Sequence, residues 1–263
     1  MERKFGIELE CLKYKDIECG VLLKMIKEAG FDSVFSNKFE PAEVAEIKEK
    51  AEKAGLGVDF LHAPFRGVND FWCPGLDYLP LKKNIVKSIN SAADNAIPIV
   101  VMHVDSGWNP PKICDIGLNR FDELVEYADA KGVKIAFENI RNFGTLSAMM
   151  QRYRGIDTVG YCYDCGHEHC YTETVRFTDL FGSVILCTHI HDNMGKDGRP
   201  DPDDHLMMFD GNIDYADMMA RLNAVGYKGT LTVELEKDDR YAHMTDEEYI
   251  KTAYERIVKI SKL

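Results

Sequence analysis

Apolar positions along the chain follow two alternating patterns. Eight short runs are rich in Val, Ile and Phe: "KFGIELE" (4–10), "DSVFSN" (32–37), "GVDFLHAPF" (57–65), "IPIVVMHVD" (97–105), "VKIAFENI" (133–140), "TVGYCYDCGH" (158–167), "VILCTHIHDN" (184–193) and "GTLTVELE" (229–236). Bounded by Gly, Pro, Asn or Asp, they read as buried strands. Between them, apolar residues recur at helical spacing, as in Val21, Leu22, Met25, Ile26 and Ala29, in Phe121, Leu124, Val125 and Ala128, and in Met218, Met219, Leu222 and Val225. Pro41 suits the first turn of a helix. Gly30, Gly55, Gly132 and Gly226 stand where helices should stop. Thr245 and Glu248 have capping-box spacing ahead of a last helix.

Eight strand–helix alternations predict an α/β fold with a parallel sheet that can close into a (β/α)8 TIM barrel. The 263 residues suit one such barrel, and no linker or composition break divides them, so residues 1–263 are expected to form a single domain. An open, doubly wound sheet is the alternative. No Gly-rich phosphate loop follows the first run, which argues against it.

Composition narrows the function. A net charge of −12 disfavours non-specific binding to nucleic acid or anionic lipid. No apolar stretch approaches the ~18 residues of a membrane span. Charges in "MERKFGIELECLKYKD" occupy the place of a signal peptide's apolar run. A cytoplasmic protein is therefore expected, its eight Cys present as thiols. No helix shows a surplus apolar face, and the oligomeric state stays open.

The ends of the runs carry the chemistry. His62, His103, Glu138, Asp164, His191 and Glu234 close six consecutive runs, His167 lies just beyond Asp164, and Asp203 and His205 follow in the loop "GKDGRPDPDDH". The active site of a barrel lies at the C-terminal ends of its strands. Ionisable groups there need partners, and converging His, Asp and Glu suit a divalent cation. Taken singly, His62 and His103 are more often core histidines, and Glu138 could pair with Arg141. His189 shares a face with His191 one layer deeper and is expected to be structural or to back the ligands. Cys162 and Cys165 have C-x-x-C spacing, but no second Cys pair completes a zinc knuckle.

At these residues the sequence resembles the xylose isomerase-like barrels, which include sugar epimerases, inosose dehydratase-like enzymes and apurinic endonucleases. The resemblance covers nearly the whole chain through "FENI", "YDCGH", "HIHDN", "DDH…FDGNIDY" and "VELE". In the epimerase branch it implies one Mn- or Mg-type ion held by Glu138, Asp164, His191 and Glu234, with His167 binding substrate; mixed carboxylate and imidazole donors suit Mn, Co, Mg or Zn alike. In the endonuclease branch it implies up to three zinc ions, with His62, His103, His167, Asp203 and His205 as further ligands. The expected activity is metal-dependent isomerisation or epimerisation of a sugar, sugar phosphate or polyol-derived ketone, with Glu138 and Glu234 moving protons. Related dehydration and zinc-dependent phosphodiester hydrolysis are the alternatives. His62, His103 and His167 would contact hydroxyls, Trp72 and Phe65 would wall the sugar, and Arg66, Arg141, Lys196, Arg199 and Lys237 are candidate phosphate contacts. The partner is a small sugar, with nucleic acid and membrane disfavoured.

Overall fold

The computed structural model describes residues 3–12, 17–172 and 174–263. Eight parallel strands follow the predicted runs: β1 (Phe5–Glu8), β2 (Ser33–Ser36), β3 (Gly57–His62), β4 (Ile99–Met102), β5 (Lys134–Glu138), β6 (Val159–Asp164), β7 (Ile185–His189) and β8 (Leu231–Val233). Each pairs with its sequence neighbour and β1 also pairs with β8. A parallel bridge between Ile190 and Val233 closes the remaining seam, with Ile190 N donating to Thr232 O at 2.8 Å. The result is a (β/α)8 barrel.

Outside the strands lie α1 (Cys19–Ala29), α2 (Pro41–Ala54), α3 (Leu79–Asp94), α4 (Asp115–Lys131), α5 (Phe143–Arg152), α6 (Cys165–Tyr171), α7 (Phe177–Phe181), α8 (Tyr215–Ala224) and α9 (Asp246–Ile260). Their apolar stripes face the sheet. Leu23 and Ile26 of α1, and Phe121 and Ala128 of α4, are fully buried, each large side chain contributing about 1.5–3 kcal/mol. The stop signals act as expected: Gly55 and Gly132 end α2 and α4 at φ 75° and 69°. Thr245 and Glu248 form the reciprocal capping box of α9.

Two features position the strand ends. Phe35, Phe60, Val101, Ala136, Cys162 and Cys187 fill the barrel interior, a dry floor beneath the polar groups. Between β6 and β7 the register shifts: Tyr161 is level with Ile185, but Cys162 with Cys187. The extra residue, Leu186, packs where Gly160 has no side chain; a Cβ there would lie 2.4 Å from Leu186 Cγ. The bulge sets Asp164 level with His189.

Candidate metal centre

Glu138 ends β5 almost wholly buried and is the hub of the strand-end cluster. Its Oε2 lies 3.1 Å from His62 Nε2 and 2.9 Å from His103 Nε2. Its Oε1 lies 3.0 Å from His189 Nδ1 and 3.3 Å from His167 Nδ1. Burial alone would raise the Glu138 carboxyl, but His189 and His103 outweigh it and hold it well below the usual carboxylate range. Burial likewise opposes protonation of His189, yet Glu234 and Glu138 lift it to about 10. His103 is lowered, chiefly by burial.

Local structure fixes the ligating faces. Asp164 caps α6 by accepting from His167 N at 2.6 Å. Asn139 staples β5 to β6, accepting from Asp164 N and donating to Asp164 O, both at 2.8 Å. His167 Nδ1 donates to Asn139 O at 2.9 Å, which turns Nε2 toward Asp203 Oδ2 at 2.9 Å. His62 Nδ1 donates to Ala63 O at 2.9 Å and so aims Nε2 at Glu138. Asp192 accepts from the backbone N–H of Asn193, Phe209 and Ile213. It thereby anchors the loop that carries Asp203 and His205.

Three groups of donors result: Glu138, Asp164, His189 and Glu234; His62, His103 and Glu138; and His167, His191, Asp203 and His205. Within each group, one ligand atom per residue lies within 4.8 Å of the others. Among the described residues, the buried side-chain atoms without a hydrogen-bond partner include His189 Nε2, His191 Nδ1, Asp203 Oδ1 and Glu234 Oε2. Unmet donor capacity concentrated on these residues fits them to cations.

His189 joins the first group, because the β7 bulge raises it level with Asp164, while His191 Nε2 lies 3.2 Å from both Asp164 oxygens. His191 lies one layer further out and joins His167, Asp203 and His205. Trp72 is not in the cavity wall. It is buried against Phe121 and donates from Nε1 to Val104 O at 2.8 Å. A Cβ at Gly117 of α4 would sit 2.0 Å from its ring. Arg199 is on the surface, paired with Asp197 and Asp204, and Lys237 is tied to Asp246 at 2.7 Å.

A cavity of about 560 Å³ opens over the donors; Phe65, Arg66, Arg141, Tyr171, Glu236, Glu8 and Asn37 also line it. Phe65 stacks on His103 at 4.2 Å. Arg141 lies over the Tyr171 ring at 4.2 Å and reaches Asp201 at 2.6 Å, not Glu138. Glu8 and Asn37 escaped the sequence reading. Glu8 accepts from Asn37 Nδ2 at 2.7 Å, and burial, then the Glu234 charge, push its carboxyl well up. The carboxylate closing "GIE" in the first run was the signal available.

Residues 23–260 match the xylose isomerase-like TIM barrel family. The chain belongs to this family. An inosose isomerase of Halalkalibacterium halodurans is 28% identical over 183 residues, 66% of this chain and 63% of that protein. An uncharacterised protein of Methanocaldococcus jannaschii is 28% identical over 225 residues, 77% of this chain and 73% of that one. Among solved structures, an IolI protein with a binding zinc atom superposes with a TM-score of 0.81 at 18% identity, covering 98% of each chain. A D-tagatose 3-epimerase-like protein gives 0.71 at 22%, covering 99% of this chain and 100% of that one. These likenesses below 25% establish the xylose isomerase-like barrel itself. No helix among the described residues is long and apolar enough to cross a membrane.

Proposed function

We propose that this family member is a divalent-metal-dependent isomerase or epimerase of a sugar or polyol-derived ketone. The observation that carries the reading is the first donor group, in which two glutamates, Glu138 and Glu234, share one cluster with Asp164 and His189 below an open cavity. The inosose isomerase relative supports the substrate class. A divalent ion held by these four residues would polarise a substrate carbonyl and stabilise negative charge on its oxygen. Glu234 directly follows β8, and its buried Oε2 lies 3.3 Å from His189 Nδ1 without hydrogen-bond geometry. That oxygen is the base that takes the proton from the carbon next to the carbonyl. Glu138, kept ionised by the surrounding imidazoles, takes or returns the proton on the other side. His103, kept neutral by burial, exchanges hydrogen bonds with a substrate hydroxyl, and Phe65 shields that end from water. Glu8, kept protonated by burial, donates to a hydroxyl from β1.

The test is exchange of carbon-bound protons with deuterated solvent on a panel of ketoses and inososes, with Mn, Co, Mg or Zn added. Exchange or conversion that Glu234→Gln abolishes is expected. No exchange on any of them would end this reading. The two neighbouring donor groups favour a second reading, phosphodiester hydrolysis at several zinc ions. Cleavage of an abasic oligonucleotide at low salt would support it, against the net charge of −12.

A further inference from the structure

We propose that the cavity carries an oxyanion site, formed by Arg66, Ser106 and Arg141 on the loops after β3, β4 and β5, that takes a phosphate or carboxylate at the end of the substrate remote from the reacting carbonyl. The placing of the carbonyl end rests on the isomerase reading above. All three residues line the cavity, and among its described lining residues Arg66 and Arg141 are the only Lys or Arg.

The three loops are braced into one unit. Asn69 accepts from Ser106 N and donates to Ser106 O, both at 2.9 Å, which ties the β3 loop to the β4 loop. Asn142 donates to Gly107 O at 2.9 Å and ties the β5 loop to the β4 loop from the other side. The donors on these loops are unspent. Among the described residues, Arg66 makes no ion pair or hydrogen bond, and the Ser106 hydroxyl has no hydrogen-bond partner. Arg141 has its guanidinium laid over the Tyr171 ring at 4.2 Å and engages Nη2 alone, with Asp201 at 2.6 Å. The Asp201 side chain is 69% exposed, so this pair is weak. Its carboxylate marks where an oxyanion can sit on Arg141.

Placement gives the substrate a direction. In the closed barrel, β4 stands opposite β8. Glu234 follows β8, whereas Arg66 and Arg141 flank β4. A substrate with its carbonyl end toward Glu234 therefore points its far end across Phe65 and His103 to Arg66, Ser106 and Arg141. Two guanidinium forks and a hydroxyl match the several oxygens of a phosphate or carboxylate. With Glu8, Glu236 and Asp201 on the same wall and a net charge of −12, an anionic group needs such local donors to enter.

Modification of arginines by phenylglyoxal, read residue by residue by mass spectrometry on chelator-stripped protein, tests this without turnover or metal. Inorganic phosphate or acetate should slow modification of Arg66 and Arg141 together and leave the rate at Arg199 unchanged. Stronger protection by phosphate assigns a phosphorylated ketose, and stronger protection by acetate a keto-sugar acid. In Arg66→Met the same anion should protect Arg141 about tenfold less well, and Arg66→Lys, which keeps the charge without the fork, should restore part of it. Arg66 makes no polar contact that the fold would lose, so these variants keep the comparison open. Protection by neither anion, or protection of Arg141 that Arg66→Met leaves intact, would overturn the shared site. Failure of every sugar to exchange its protons would leave the protection standing. Loss of the protection would leave exchange on neutral ketoses standing, so the two proposals fail separately.

Discussion

Removing His189 from the metal-free protein should destabilise it in a pH-dependent way whose direction follows from the geometry. The imidazole is fully buried, stacked on Phe35 at 5.1 Å, with Nδ1 3.0 Å from Glu138 and 3.3 Å from Glu234. Burial opposes its charge, the two carboxylates prevail, and it titrates at about 10 against an ordinary 6.5. A group raised in the folded state stabilises it fully below the unfolded value, and the gain is lost as pH rises toward the folded one. The shift corresponds to ~5 kcal/mol as a ceiling. Breaking one partner out of a buried ion pair costs about 3–5 kcal/mol, so about 3 kcal/mol is the expected loss. In chelator-stripped protein, His189→Gln should lower Tm at pH 6 by about 6–12 °C, and by less than half of that at pH 9.5. Adding zinc should reverse the trend. Ligation needs neutral imidazole, so the Tm gain from zinc should grow from pH 6 to 8 in wild type and nearly vanish in the variant. An equal Tm deficit at pH 6 and 9.5 without metal would refute a charged His189 held by the glutamates.

Other consequences are open to direct measurement. Asp105 is fully buried, and burial, only partly offset by Thr145, Asn142 and Arg141, pushes it up to about 6. A raised carboxyl stabilises the fold relatively at low pH and costs stability as pH rises past its unfolded value, so Asp105→Asn should be nearly neutral at pH 4.5 and stabilising by about 1–2 kcal/mol at pH 7.5, read by denaturant melts. Arg120 donates to the carbonyls of Asp70, Phe71, Cys73 and Gly75 and lies 3.6 Å over the Tyr78 ring. Arg120→Met should cost about 3 kcal/mol, since several buried acceptors lose their donor, with hydrogen exchange rising first over residues 68–78. Gly166→Ala must displace His191, since a Cβ there would lie 2.0 Å from its Cε1, and should cost about 1–3 kcal/mol, read by denaturant melts.

Much of the architecture was legible because its signals are local. The eight apolar runs contain the eight strands, and Pro41, Gly55, Gly132, Thr245 and Glu248 mark helix ends where the chain places them. The strand-end donors were legible too, since a His or carboxylate closing an apolar run points to few other uses. Trp72 was misread because its environment is set 45 residues away. Only the missing side chain of Gly117 lets the indole pack outward against α4, and nothing near "DFW" signals that. Arg199 was misread because carboxylates two residues before it and five after it neutralise it, a pairing loop geometry decides.

The placing of His189 beside Asp164 has a different origin, and it bears on function most. Alternation correctly puts both histidines on the inner face. Their height relative to Asp164 depends on the register between β6 and β7, and the single extra residue Leu186 changes it. With no bulge, Asp164 would stand level with Thr188, and neither histidine would share its layer. With it, β7 supplies a deep donor to the glutamates and, two residues on, a shallow donor to Asp203 and His205. One inserted residue thus lets a single strand serve two donor groups. The pair stands or falls on that register: a change that removes the bulge, such as deletion of Leu186, should cost both groups their histidine together.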